Sequence, residues 1–161
     1  MKILGIDPGM AIVGYGLIEY SNNNISLLNS GSIQTDKTKT DSQRLLEIYN
    51  DLSHLIKKLQ PDCASVEELF FFKNQKTVIP VAEARGVIIT VLEQFSIPFC
   101  SYTPMQVKQV LTGYGRAEKK EVEQMVKLSM NNIELPKLEV SQDKGTIEEY
   151  KEYFKTKILE N

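Results

Sequence analysis

Several residue types are scarce in this 161-residue sequence, and each scarcity narrows what the protein can be. There is no tryptophan, one histidine (His54) and only two cysteines, Cys63 and Cys100, which form no metal-binding or redox motif. Because thiols outside disulfides are typical of a reducing compartment, we predict that both are free and buried in a cytoplasmic protein. We expect His54 to be a partly exposed residue of a helix rather than a metal ligand.

Long apolar runs are also absent. No run approaches the roughly 18 residues of a membrane span, and the first residues, MKILGID, are more typical of a β-strand than of a signal peptide. Apolar residues make up 42% and charged residues 25%, which excludes collagen-like, low-complexity and wholly disordered chains. Since there is no internal repeat or linker, residues 1–161 are predicted to form one domain.

The chain has little net charge, but that charge is unevenly distributed. The formal net charge is −2 at pH 7, which argues against a protein that coats nucleic acid. Residues 69–120, however, contain seven basic and three acidic residues. A basic region on an acidic protein favours one localised contact with a polyanion; an ordinary solvated surface is the alternative.

The pattern of apolar residues predicts an α/β fold, with a five-stranded mixed sheet flanked by helices. A cluster of Ser and Asn at 21–24 separates two predicted strands and indicates a hairpin. Apolar residues spaced by three and four over 41–59 indicate an amphipathic helix with Asp41 as its N-cap. The predicted strands cover 2–6, 12–20, 25–33, 63–70 and 97–100, and the predicted helices cover 41–59, 75–95, 103–111 and 117–130.

The predicted helix at 75–95 is apolar around almost its whole circumference. Pro80 is expected in its first turn, where proline is tolerated. A helix that is apolar on all sides is buried on all sides. One face can pack on the sheet, and we expect the other to pack on a second subunit, which predicts a homodimer. A helix buried wholly within one domain is the alternative.

Two carboxylates occupy positions where strands are expected to be buried. Asp7 ends the first predicted strand, and Glu67 lies within the stretch SVEELF at 65–70. If these strands are neighbours, the two acids meet at one edge of the sheet, where like charges require a cation. Mg²⁺ suits such a site, and a pair of ions could activate water for phosphodiester cleavage. A turn role for Asp7 and an exposed strand position for Glu67 are the alternatives.

Five blocks of sequence resemble those of RuvC-type crossover-junction endodeoxyribonucleases, in the same order and spacing, over about residues 1–137. The first block is weak alone, because actin-like kinases begin similarly, but the five together are specific. They are LGIDPG at 4–9 with the following GYG at 14–16, VEELFFFKN at 66–74, EARGV at 83–87, YTPMQVK at 102–108 and GYGRAEK at 113–119.

The resemblance implies an RNase H-like fold and a homodimer that cuts four-way (Holliday) junctions symmetrically in recombination and repair. Asp7 and Glu67 would bind Mg²⁺, two ions in each site, with Mn²⁺ as a substitute. Phe70 would stack near the opened bases, and four cations would contact the DNA: Lys73, Lys108, Arg116 and Lys119. The implied partners are junction DNA and a branch-migration motor complex.

The segment 138–161 diverges from the family, whose last helix carries two further metal ligands, three residues apart, near position 140. Here residues 136–145 read PKLEVSQDKG, with no such pair. Asp143 is the candidate substitute ligand, and Glu139 is a second. A capping box at 146–149 and the apolar stripe after it predict an amphipathic helix for the tail.

Three functions therefore compete. The first is a structure-selective DNA endonuclease. The second is a junction-binding homologue with weak or no cleavage, because the last two metal carboxylates are missing. The third, an actin-like phosphotransferase fragment, rests on GIDPG at 5–9 alone, and the chain is too short for the two lobes and second phosphate loop of such enzymes.

Overall fold

The computed structural model describes residues 1–69 and 75–130, with the backbone alone at 75–77. Within these ranges, strands and helices follow one another as the sequence predicts. They are β1 (Lys2–Asp7), β2 (Ile12–Ser21), β3 (Asn24–Gln34), α1 (Asp41–Leu59), β4 (Cys63–Glu67), α2 (Gln75–Gln94), β5 (Phe99–Tyr102), α3 (Pro104–Thr112) and α4 (Lys119–Ser129). The predicted tail helix lies outside the described residues.

The strands form one mixed sheet in the order β3-β2-β1-β4-β5. The pairs β3–β2 and β2–β1 are antiparallel, whereas the pairs β1–β4 and β4–β5 are parallel. The predicted five-stranded mixed sheet with an antiparallel hairpin at one edge is therefore confirmed. That hairpin turns at Asn22 and Asn23, whose φ angles of 52° and 59° are typical of the tight turn that matches strand twist.

Each face of the sheet has its own apolar core. Because side chains alternate along a strand, Leu4 and Ile6 of β1 point to one face, where α1 and α2 pack. Ile3 points to the other face, where α3 and α4 pack. We refer to these as the α1/α2 face and the α3/α4 face.

The N-cap predicted for α1 is wrong by one residue. Thr40 is the N-cap: its hydroxyl accepts a hydrogen bond from the backbone N–H of Gln43 at 3.4 Å, and Gln43 Oε1 accepts one from the backbone N–H of Thr40 at 3.0 Å. Asp41 is the first helical residue, where its negative charge suits the helix dipole. Thr40 and Asp41 are both good capping residues, and Gln43, three residues after Thr40, selects Thr40 by completing a capping box with it.

Other boundaries also differ from the prediction. β4 ends at Glu67 rather than at residue 70, and β5 begins at Phe99 rather than at 97. The delay in β5 follows from the end of α2, where Ile97 N–H still donates to the carbonyl of Leu92 at 2.9 Å. Pro80 lies in the second turn of α2, because the helix begins five residues earlier, at Gln75.

The two cysteines and His54 differ in how far they are buried. Both cysteines are thiols, but Cys63 is half-buried and Cys100 is exposed, so the prediction of buried thiols is wrong. Cys100 is exposed because it lies on β5, at the edge of the sheet. His54 is an exposed residue of α1. No helix within the described ranges has the length and hydropathy to cross a membrane.

Candidate active site

Asp7 and Glu67 lie side by side at the carboxyl ends of two parallel strands. In the pairing of β1 with β4, Ile6 is opposite Val66, so the next residue on each strand is the carboxylate. Neighbouring strands are about 4.8 Å apart. Side chains alternate along a strand, so Asp7 points to the same face as Ile3, and Glu67 to the same face as Cys63. Ile3 and Cys63 pack on the α3/α4 face, and both carboxylates therefore point there. The sheet therefore brings the two predicted carboxylates together on one face.

Both carboxylates are buried. Asp7 is 6% exposed and Glu67 is 7% exposed. The alternative of an exposed strand position for Glu67 is therefore wrong. Asp7 belongs to β1, and the turn after it depends instead on Gly9, where an added Cβ would collide with the carbonyl oxygen of Ile12. Burial of two like charges at one level of a sheet is costly unless another charge compensates them.

Small residues of β1, β2 and β4 flank the carboxylates on one side, and Tyr102 of β5 lies opposite Glu67 on the other. Gly14 of β2 lies opposite Asp7, and one step below, Gly5 lies between Gly16 and Ser65. Ser65 is 1% exposed, and among the described residues its hydroxyl has no hydrogen-bond partner. We refer to this part of the α3/α4 face as the polar half; it comprises Gly5, Asp7, Gly14, Gly16, Ser65 and Glu67.

The donor atoms of the polar half fit a hard divalent cation. Carboxylate and hydroxyl oxygens are the ligands that Mg²⁺ prefers, and proteins usually bind Mg²⁺ through one or two carboxylates while it keeps several waters. Within residues 1–69 and 75–130, no group of three or more His, Cys, Asp or Glu side chains could hold a metal. Asp143 and Glu139 lie outside those ranges.

Arg85 of α2 contacts the backbone of Glu67 from the α1/α2 face of the sheet, a role that the sequence did not predict. Its Nε donates to the backbone carbonyl of Glu67 at 3.1 Å, and its Nη2 donates to Ser101 Oγ at 2.8 Å. Arg85 is one of the seven basic residues of the segment 69–120. The sequence signal for a buried role was the position of Arg85, a charged residue next to Ala84 in a helix that is otherwise mostly apolar.

The predicted DNA-contacting cations lie on α3, on α4 and on the loop between them. Lys108 is half-buried, whereas Arg116 and Lys119 are exposed. The loop folds back on α3, because Gly115 packs so closely on Met105 that an added Cβ would lie 2.7 Å from Met105 Cγ. Met105 is in the first turn of α3, just after the strand whose Tyr102 pairs with Glu67.

This packing places the loop at the carboxylate edge of the sheet. The hydroxyl of Thr112 steadies it, accepting from the backbone N–H of Tyr114 at 3.2 Å and donating to the carbonyl of Lys108 at 2.9 Å. Phe70 and Lys73 lie outside the described residues.

Comparisons of sequence and of structure with known proteins both point to one family. Residues 3–143 match the family described as "Crossover junction endodeoxyribonuclease RuvC". The protein of that name from Fusobacterium nucleatum is 47% identical over 137 residues, covering 85% of this chain and 72% of the relative.

Solved structures agree. RuvC of Thermus thermophilus has a TM-score of 0.82 at 26% identity, covering 95% of this chain and 90% of that one. A second structure, of T. thermophilus RuvC in complex with Holliday junction substrate, also has a TM-score of 0.82 at 26% identity, covering 99% and 92%. The RNase H-like fold is therefore confirmed. Proteins of this family are metal-dependent nucleases that hydrolyse phosphodiester bonds. This chain belongs to the RuvC family of crossover junction endodeoxyribonucleases.

Proposed function

We propose that this chain resolves four-way (Holliday) DNA junctions by nicking two symmetric strands, with Asp7 and Glu67 as its metal-binding catalytic carboxylates. The observation that carries the proposal is the placement of both acids, buried, at one level of β1 and β4 and on one face. A fold that only needed stability would not retain two neighbouring buried carboxylates, because their mutual repulsion and desolvation favour the unfolded state.

The cation in this proposal is Mg²⁺, two ions in each site, with Mn²⁺ as a substitute. When bound, such ions supply Lewis acidity and lower the pKa of water. Asp7 and Glu67 hold them, and the buried hydroxyl of Ser65 lies one step away on the same strand as Glu67. Asp143 is proposed as a further ligand from the tail.

Lys108, Arg116 and Lys119, on α3, α4 and the loop between them, are proposed to contact phosphates. Lys119 and Lys120 begin α4, although the positive end of a helix dipole disfavours cations there. The helix dipole therefore does not favour lysines at these positions, whereas a phosphate contact does. Phe70 is proposed to stack on opened bases of the junction, with Lys73 near the DNA.

Paired nicks require two sites, so we propose a homodimer formed through α2. One side of this helix packs in the core through Ala84, Ile88, Val91 and Leu92. On another side Ile79 is 66% exposed, and Ala82 is exposed as well. We also propose that residues 1–161 act as one nuclease domain in the cytoplasm, with junction DNA and a branch-migration motor complex as partners.

A cleavage assay on a four-way junction tests the proposal. Each strand is labelled in turn, and reactions contain Mg²⁺, Mn²⁺ or EDTA. We expect paired nicks at symmetric positions with either metal and none in EDTA. Asp7→Asn and Glu67→Gln should each slow cleavage by more than about 100-fold, because outer-sphere partners of metal ligands alone are worth about 10–100-fold. Junction binding in EDTA should survive both changes.

The same assay separates the competing function. A junction-binding homologue without activity would bind in EDTA and leave the DNA intact in both metals. Cleavage that persists in Asp7→Asn would instead contradict the assigned carboxylates.

Salt dependence tests the phosphate contacts. Lys119→Ala should reduce the slope of log Kd against log salt by about 0.9, the release expected for one phosphate contact. Lys127→Ala is the matched control, because it removes a lysine of the same helix that is paired with Glu123 at 2.9 Å. Equal slopes for the two variants would exclude Lys119 from the DNA contact.

A further inference from the structure

Arg85 joins helix α2 to the ends of two strands. Its guanidinium donates to the backbone carbonyl of Glu67 on β4 and to the hydroxyl of Ser101 on β5, and both hydrogen bonds are part-buried. The planar guanidinium presents several donors in a fixed geometry, so one side chain can hold two strands in register. We propose that Arg85 is a positioning residue that fixes the Glu67 carboxylate for metal binding; this inference rests on the proposed role of Glu67.

The end of β4 needs such a restraint. The ladder between β1 and β4 ends with the pair Ile6–Val66, one residue before the carboxylates. On the other side, Glu67 pairs with Tyr102, and Glu68 N–H donates to the Tyr102 carbonyl at 3.0 Å, where β5 also ends. Glu67 therefore lies at the end of its strand, where backbone pairing restrains a residue less than it does in the middle. A charge-assisted hydrogen bond to its carbonyl compensates for that loss.

Arg85 acts from the opposite face of the sheet. Phe99 packs in the core of the α1/α2 face, so Ser101, two residues later on β5, points to that face as well. Glu67 points its carboxylate to the α3/α4 face. Arg85 thus contacts the backbone of Glu67, from the face opposite to the one that its carboxylate occupies. Since α2 is also the proposed dimer helix, the same contact links subunit association to the position of a metal ligand.

Four variants of the full chain test this role. Arg85→Gln removes the charge, Arg85→Lys keeps it with a single donor group, and Ser101→Ala removes only the contact to β5. Tyr49→Phe is the matched control, because it deletes a different hydrogen bond of α2, the one from Tyr49 to Gln94 Oε1 at 2.6 Å. The measurements are single-turnover junction cleavage, Mn²⁺ binding followed by electron paramagnetic resonance, junction Kd in EDTA, and amide hydrogen exchange.

We expect Arg85→Gln to weaken Mn²⁺ binding and cleavage by about 10–100-fold, with the junction Kd in EDTA within twofold of the wild type. Amides at 64–69 and 99–102 should exchange faster. Arg85→Lys should recover part of the loss, and Ser101→Ala should change cleavage by less than about threefold, because the contact to Glu67 remains. Tyr49→Phe should leave Mn²⁺ binding and cleavage unchanged.

Two results would overturn the positioning role. One is wild-type Mn²⁺ binding in Arg85→Gln. The other is an equal loss in Arg85→Gln and Tyr49→Phe, which would make Arg85 a general stabiliser of α2. If Arg85→Gln does not fold, Arg85→Lys carries the test, and unaltered exchange at 64–69 together with unaltered Mn²⁺ binding in that variant counts against the proposal. Failure of the wild type to cut any junction would contradict the proposed function separately, because exchange and Mn²⁺ binding do not depend on turnover.

Discussion

The α3/α4 face of the sheet divides into two halves with opposite chemistry. Next to the polar half lies an apolar half, in which β1, β2, β3 and β4 present large side chains to α3 and α4. Those strand residues are Ile3, Ile18, Tyr20, Ile25, Leu27 and Cys63. They pack against helix residues Val107, Leu111, Val122, Val126 and Met130. In the polar half, β1, β2 and β4 present glycines, a serine and two carboxylates.

The difference shows that one strand can serve stability and chemistry at different points along its length. On β1, Ile3 is 3% exposed and packs under the helices, and four residues later Asp7 is 6% exposed among small neighbours. Burial is thus similar in the two halves, but only the apolar half gains free energy from it, because burying apolar area is favourable and burying charge is not. The two halves should therefore respond oppositely to substitution.

The largest effect is expected in the apolar half. Ile18→Ala should lower the free energy of unfolding by about 2–5 kcal/mol, because it opens a cavity at a fully buried position. Denaturant unfolding measures it. Leu128→Ala is the control: this side chain of α4 is 63% exposed, so its loss should stay within about 0.5 kcal/mol. Similar values for the two variants would remove the apolar half as a source of stability.

In the polar half, Asp7→Asn should act in the opposite direction. Without divalent metal it should raise the free energy of unfolding by about 1–2 kcal/mol, because it removes one of two buried like charges. Mg²⁺ at 100 times its Kd should stabilise the wild type by about 2.7 kcal/mol and the variant much less. Thermal unfolding with and without Mg²⁺ measures both. A variant less stable than the wild type in EDTA would show that the carboxylate contributes to the fold.

The boundary between the halves can be tested at the start of α3. Thr103 caps this helix, accepting from the backbone N–H of Gln106 at 3.3 Å. Thr103→Ala should cost about 1 kcal/mol of stability and also slow cleavage, because the helix begins at the carboxylate edge. Thr40→Ala removes the equivalent cap of α1 and should cost similar stability with unchanged cleavage. Equal cleavage by the two variants would place α3 outside the site.

The smallest effect is expected at Ser65. Its hydroxyl is buried and, among the described residues, has no hydrogen-bond partner, so Ser65→Ala should leave stability unchanged or raise it by up to about 1 kcal/mol. Chemical denaturation measures the change. A loss greater than about 1 kcal/mol would show that the hydroxyl is satisfied within the fold.

Sequence patterns predict most of the fold because they are local. The turn at Asn22 and Asn23 follows from residue types that tolerate positive φ, and the amphipathic helix at 41–59 follows from its spacing. The pairing of Asp7 with Glu67 is different, since it depends on β1 and β4 becoming neighbours. Its sequence signal is the mismatch of an acid in a segment otherwise expected to be buried.

What sequence could not provide depends on three-dimensional proximity. Arg85 reads as one more surface cation until the hydrogen bonds to residues 18 and 16 positions away are known. The division of the α3/α4 face also escapes prediction, because it requires the register of four strands at once. The N-cap of α1 differs from the predicted one for a local reason, since Thr40 and Asp41 are both good caps and a single side chain, Gln43, selects one.

Parallel pairing of β1 with β4 has a consequence for how the protein becomes active. Sixty residues separate Asp7 from Glu67, and the intervening hairpin and helix α1 are completed before β4 is synthesised. Contacts this distant along the chain form slowly, because closing the loop precedes any gain from the contact. A nascent chain therefore carries one acid before the other, and the proposed metal site forms only when the central strands have docked.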